Sequence, residues 1–232
     1  MSQSIRATVA PTTSSDDAAN HTIVLPAGLA AGDVVVVMTA CDDSSPNLTW
    51  PVGSPAATTI IAEAATDWPN GGAEYVGPLS SADATALSGG TITCGHEGAT
   101  MAIIVLTGAT NTIDFLTPST DNYGTNQSQS IPSANTTDNG EIAIAVFTGS
   151  SNVSNAPVST TWSTPPGWTS LGTGWSSYES LGVFYKTMSS AGAIGTTASS
   201  ITMASGNYFD SFAFAFRNAA SYTDAPIAWL RA

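Results

Sequence analysis

His21 and His96 are the only imidazoles in the 232 residues. A Ser-His-Asp arrangement would need one of them beside a serine, and serine is common enough here for such a neighbour to arise by chance. No Gly-x-Ser-x-Gly elbow is present. Adjacent carboxylates stand at Asp16-Asp17 and Asp42-Asp43, but glycoside hydrolysis needs two acids facing each other across a cleft. Neighbours on a strand point to opposite faces, and both pairs fall at loops or ends, so they read as solvated turns. Asp42-Asp43 with Asn47 lacks the alternating Asp-x-Asp-x-Asp of a calcium loop. Cys41 and Cys94 offer one disulfide between two strands. A pair of buried thiols is an equal alternative, because Phe147 or Thr148 and Met203, which cannot bridge, stand at the matching places further along. Cys94-x-His96 with one distant cysteine does not have zinc-site spacing. No catalytic residue, metal or cofactor is expected from these patterns.

The aromatic residues carry more information. Trp50 and Trp162 each follow a threonine at equivalent points of a repeat, and read as core. Trp68, Trp168 and Trp175 lie in glycine-containing loops, with Tyr178 close by. Exposed rings of that kind serve as platforms for sugars or as interface anchors, so these four are the candidate contact residues. Asn-x-Ser/Thr sequons at Asn20, Asn47, Asn126, Asn135 and Asn152 are expected of a chain rich in Ser and Thr and do not show secretion.

The elements that must hold these residues occur twice. Gly32-Asp33 opens the apolar run from Val34, and Gly140-Glu141 opens the run from Ile142; Thr49-Trp50 then answers Thr161-Trp162. Leu79-Ser80-Ser81-Ala82 matches Met188-Ser189-Ser190-Ala191, and Thr91 to Cys94 matches Ser200 to Met203. The closing strand Met101 to Thr107 matches Asp210 to Arg217. The landmarks recur about 110 residues apart, far beyond a solenoid period. The acidic residue of each Gly-Asp or Gly-Glu turn is expected to accept backbone N–H bonds and to charge the strand entrance against slippage.

Further strands are read at His21 to Leu25, Val34 to Cys41, Thr58 to Glu63, Ala73 to Val76, Ser130 to Pro132, Glu141 to Thr148, Ser159 to Trp162 and Leu181 to Lys186. In the last strand Phe212, Phe214 and Phe216 share one face and Ala213 and Ala215 the other, a period of two. A Phe-rich face must be buried against another sheet, so the fold class is all-β: a jelly-roll-like antiparallel β-sandwich built from two tandem pseudo-repeats. Ser80 to Leu87 and Ser189 to Ile194 read as loops rather than helices. Residues 1–20 read as an extended arm or disordered leader, 21–111 as the first β repeat, 112–129 as a linker with an extended stretch at Thr112 to Leu116, 130–221 as the second repeat, and 222–232 as an apolar tail. The linker offers no long flexible Pro or Gly hinge, so the two repeats are expected to pack as one sandwich unit with shared strands.

Composition sets the partner class. Charged residues make up 9% of the chain, against about 25% in an average domain, so the polar surface is built of Ser, Thr, Asn and Gly. Net charge is −13, and only Arg6, Lys186, Arg217 and Arg231 are basic. Nucleic acid and anionic membranes are therefore excluded as partners, since both draw on clustered Lys and Arg. Val34 to Cys41 is too short to span a bilayer, and Met1 to Asn20 carries no hydrophobic signal core. The expectation is a protein made and kept inside a cell, or released by lysis or within a particle.

Leu25-Pro26-Ala27-Gly28 to Gly32-Asp33-Val34-Val35-Val36, Thr164-Pro165-Pro166-Gly167-Trp168-Thr169, Val183-Phe184-Tyr185-Lys186 and Phe214-Ala215-Phe216-Arg217-Asn218 resemble a pattern of tailed-bacteriophage β-sandwich virion proteins. The resemblance runs from His21 to Ser221. The first copy departs from it, with Trp50-Pro51-Val52-Gly53 in place of a full Pro-Gly-Trp and Tyr75-Val76-Gly77 without the lysine. It implies a non-enzymatic capsid decoration or cement protein, or a minor tail or adhesion component. The partner would be the major capsid protein, met at the outer capsid surface of the virion by a homotrimer. The alternative is a tail or fibre adhesin that binds host carbohydrate through the loop aromatics.

Overall fold

The structure, a computed structural model, describes residues 1–13, 20–41, 48–62, 70–95, 98–117, 122–151, 161–176 and 179–220. The first copy contributes β1 (Ser4–Val9), β2 (His21–Val24), β3 (Asp33–Cys41), β4 (Leu48–Thr49), β5 (Thr58–Ala62), β6 (Asn70–Val76), β7 (Thr91–Cys94) and β8 (Ala99–Thr107), with the helix α1 (Ser81–Leu87) between β6 and β7. The first strand pairs with the last, the second with the seventh and the third with the sixth, all antiparallel. β3 also pairs with β8, and β4 with β7. This is the jelly-roll pattern, an antiparallel ribbon rolled so that its strands fall into two facing sheets. β5 departs from it by joining β6, which gives the sheet β1-β8-β3-β6-β5 over the sheet β2-β7-β4.

The second copy repeats the winding with β9 (Ala109–Leu116), β10 (Asn122–Ile131), β11 (Asn135–Thr136), β12 (Glu141–Ser151), β13 (Thr169–Trp175), β14 (Glu179–Met188), β15 (Gly192–Ala193) and β16 (Thr197–Asn218). β16 serves as both seventh and eighth strand. Its first part pairs with β10, and its later part with β12 and, at its end, with β9. β14 lies between β12 and β13, so β9-β16-β12-β14-β13 reproduces the order β1-β8-β3-β6-β5. β9 therefore stands where β1 stands. The stretches read from sequence as an arm and a linker carry the same element, the first strand of each roll.

Strands are not shared between the copies in any described sheet. Each copy closes its own roll, and the five-stranded sheet of the first then packs face to face against the six-stranded sheet of the second, to which β10 also belongs. In β3 the even residues Val34, Val36 and Met38 lie in a core with Ile142, Ile144, Val146, Phe212, Phe214 and Phe216 of the second copy. The odd residues Val35 and Val37 face Ile23, Leu87, Ile92 and Cys94 of their own copy. Ala143, Ala145 and Phe147 likewise face Trp162, Ile201 and Phe209 within the second copy. The Phe-rich face is thus covered as expected, but by the other roll. Tyr75 meets Phe216 edge-on across the seam, with ring centroids 4.9 Å apart.

α1 is a helix where a loop was expected. Ser80 Oγ accepts from Asp83 N–H, and the Asp83 carboxylate accepts from Ser80 N–H, a reciprocal cap that satisfies the first turn; Ala84 and Leu87 are its buried residues. The N-terminal segment also straps the copies together. Gln3 N–H donates to Gly140 O at 2.9 Å, its Nε2 donates to Phe216 O at 2.6 Å, and its Oε1 accepts from Ile142 N–H at 3.0 Å. Gly140 sits at φ +78° with Ser2 where a Cβ would project, so no larger residue fits beneath the strap.

Because the copies share one core, Phe214→Ala, which opens a cavity at the seam, should cost about 3–5 kcal/mol. Urea denaturation followed separately by near- and far-UV circular dichroism should show one coincident transition at a lower midpoint; two resolved transitions in the native protein would show that the rolls fold independently.

Candidate functional site

Two equivalent polar corners lie at the open ends of the duplicated sheets, each built on a β-bulge. In β1 the register slips between Ile5 and Ala7 and leaves Arg6 out of the pairing; in β9 it slips between Ile113 and Phe115 and leaves out Asp114. A bulge re-aims its extra residue, here toward the first residue of the third strand. In the first copy that residue is Asp33, fully buried beside Thr107. Arg6 Nε lies 2.8 Å from Asp33 Oδ1 and 2.7 Å from Oδ2. Thr107 Oγ1 donates to Oδ1 at 2.9 Å, and Ala30 N–H to Oδ2 at 2.8 Å. Both carboxylate oxygens are engaged, so Asp33 is an anchor. The expected turn N–H bond to Asp33 is present.

The second corner has the same backbone and different chemistry. Glu141 replaces Asp33, Asp114 replaces Arg6, and the cation has moved to Arg217 on β16. Arg217 Nε lies 3.3 Å from Asp114 Oδ1, and the Asp114 side chain is fully buried. Thr137 donates to Asp114 through both its N–H and its hydroxyl. Glu141 is fully buried, and no donor meets either of its carboxyl oxygens at hydrogen-bonding geometry. Burial, and next the Asp114 charge, push its carboxyl up from 4.5 to about 8. The turn N–H of Asp138 offsets this only in part, so Glu141 lacks the close, geometrically formed turn bond that Asp33 accepts from Ala30. At neutral pH it is a neutral acid.

Of the candidate contact residues, Trp168 is buried at 8% exposure in the second copy's own core, so it is not a surface platform. Trp175 is half-buried, and its backbone bridges Thr13 of the N-terminal segment. Trp68 and Tyr178 lie outside the described residues, as do His96, Asp16-Asp17, Asp42-Asp43 and Asn47. Trp162 is core: its indole N–H donates to Ser180 Oγ at 3.3 Å, and its ring lies where a side chain at Gly182 would otherwise stand. Trp50 is half-buried and donates to Glu74 Oε2 at 3.1 Å. Cys41 and Cys94 are both buried, in one core of the first copy.

Among the described residues no group of three or more His, Cys, Asp or Glu is placed to hold a metal ion, and no helix is long and apolar enough to cross a membrane. No protein-family model, curated protein or solved structure matches the chain. Among the described residues the basic side chains are occupied by architecture: Arg6 and Arg217 in the corners, and Lys186 Nζ on Ile194 O at 3.0 Å. Asp33 and Glu141 were marked by the repeated glycine-acid turn. Nothing in the sequence marks Arg6 or Asp114, because each stands among the apolar residues of its strand and only the bulge brings it to the corner.

Two outcomes follow. Arg6→Met strips the cation from a buried carboxylate and should lower stability at pH 7 by about 1–3 kcal/mol in urea denaturation, the low side of a buried-pair loss because the Arg6 side chain is 37% exposed. The two thiols should resist a water-soluble disulfide reagent in the native protein and both react, without added reductant, once it is unfolded; reaction of neither in denaturant would reveal a bridge.

Proposed function

We propose that the chain is a non-enzymatic structural protein of a tailed-phage virion, a decoration or cement protein that binds the outer face of the major capsid shell and stabilises it. The observation that carries this reading is the continuous apolar seam between the two rolls, strapped by Gln3. It makes one stiff block with two outer faces, and a body that bridges shell subunits has to carry load between its ends without hinging. The ionisable and aromatic groups described above support the same reading, since they are spent on holding the block: Asp33 on Arg6, Asp114 on Arg217 and Thr137, Trp162 and Trp168 in the core. An outer surface of low charge density and negative sign suits the side of a shell that does not face the genome.

In this reading the chain adds buried area across subunit joints, where internal pressure pulls them apart, and a standard interface of about 800 Å² per partner is sufficient. A homotrimer on a threefold position is the natural form. The N-terminal segment contributes through the block itself, because residues 4–9 are already paired with β8.

The test is binding to purified capsids that lack tails. Co-sedimentation at hundreds of copies per particle, with a raised capsid disruption temperature on adding the protein to naked shells, is expected. A few copies per particle confined to tails, together with glycan binding abolished by Trp175→Ala, would replace this reading with the adhesin.

A further inference from the structure

The duplicated corners provide an internal comparison. The same bulge and the same three strand positions hold a cation facing a carboxylate in the first copy and, in the second, a buried glutamic acid without a close partner beside a buried aspartate. We propose that the second copy carries a proton-operated latch, in which a proton on Glu141 lets it lie buried opposite the Asp114 carboxylate and seat the bulged edge strand β9, and loss of that proton opens this corner while the first copy's corner stays closed.

The surroundings leave Glu141 no other means of neutralisation. On β9, Asp114 is committed as an acceptor to Thr137 and Arg217. On β16, the Arg217 side chain is half exposed and directed at Asp114. Asp138, in the turn before β12, adds a like charge, offset in part by its own backbone N–H. On β14, Lys186 is held by Ile194 O. The N-terminal ammonium of Met1 donates to Ala219 O. Apart from the Asp138 N–H, whose effect burial and the Asp114 charge outweigh, none of these supplies a donor to the Glu141 oxygens. Two buried carboxylates that approach each other cannot both ionise cheaply, so one keeps a proton or the pair separates.

The sign follows from linkage. An unfolded Glu141 would lose its proton near 4.5, whereas in the folded chain it keeps it to about 8. The folded state thus binds the extra proton, and stability falls as pH rises through that window and levels off above it. Opening at Glu141 also reaches the seam, because Gly140 O and Ile142 N–H, on either side of it, are the groups that Gln3 holds. A particle-bound protein built this way would be tightest in mild acid and loosen locally in alkali.

Hydrogen exchange read by mass spectrometry on the whole protein at about pH 6 and about pH 9.5, corrected for intrinsic rates, tests the latch. Protection of segments 109–117 and 137–142 should fall about tenfold or more at the higher pH, with segment 33–41 unchanged. Glu141→Gln, neutral at every pH, should abolish that difference. Equal protection at both pH values, or a loss that persists in Glu141→Gln, overturns the proposal. Should the variant fail to fold, carboxyl carbon NMR of the native protein decides: a Glu141 midpoint near neutrality or above supports the latch, and one below about pH 6 overturns it.

Discussion

β3 is apolar on both faces, and the architecture follows from that constraint. Its side chains alternate, so one layer can cover only Val35 and Val37 and leaves Val34, Val36 and Met38 in need of a second. α1 with the β2-β7-β4 sheet supplies the first cover, and the other copy's sheet supplies the second. β12 has the same problem and the reciprocal solution. A roll of this kind standing alone would expose the whole inner face of its five-stranded sheet, a patch far larger than soluble monomers carry. The two copies are therefore halves of one folding problem, each with a private core and both with a shared one.

Divergence between the copies is confined to places where the shared core does not dictate residue type. Phe212, Phe214 and Phe216 meet Val34, Val36 and Tyr75 across the seam, where shape and volume count. At the corners the bulge geometry persists while the charges are rearranged, from Arg6–Asp33–Thr107 to Asp114–Glu141–Arg217. The covering element differs too: α1 stands in the first copy where the small β11·β15 pair stands in the second. A closed backbone frame tolerates such exchanges as long as each buried polar group finds a partner or a proton.

Much of the frame is legible in the residues. Runs such as Val34 to Met38 and Phe212 to Phe216 declare strands through β-branched and aromatic content and period two, and their recurrence declares the duplication. The weaker strands are not legible, for identifiable reasons. β1 and β9 have half-exposed, polar faces and gain their order from pairing with β8 and β16. β13 contains Gly172 and Gly174, which read as loop but make room for Pro11 of the N-terminal segment. α1 is signalled by Ser80 and Asp83 at capping-box spacing, a short-range cue outweighed in sequence by the serines around it. Trp168 looks like a surface ring beside Pro-Pro-Gly, yet its ring is covered by the second copy's core.

By itself the sequence determined the all-β class, the tandem repeat, the period-two faces and the scarcity of charge, because each is a property of neighbouring residues or of composition. Tertiary structure alone decided which sheet covers which face, that Cys41 and Cys94 share one buried core, and that Glu141 lies beside Asp114 instead of an arginine. Those outcomes depend on groups brought together from distant parts of the chain, and a carboxyl's charge is set by what it meets once water has been removed.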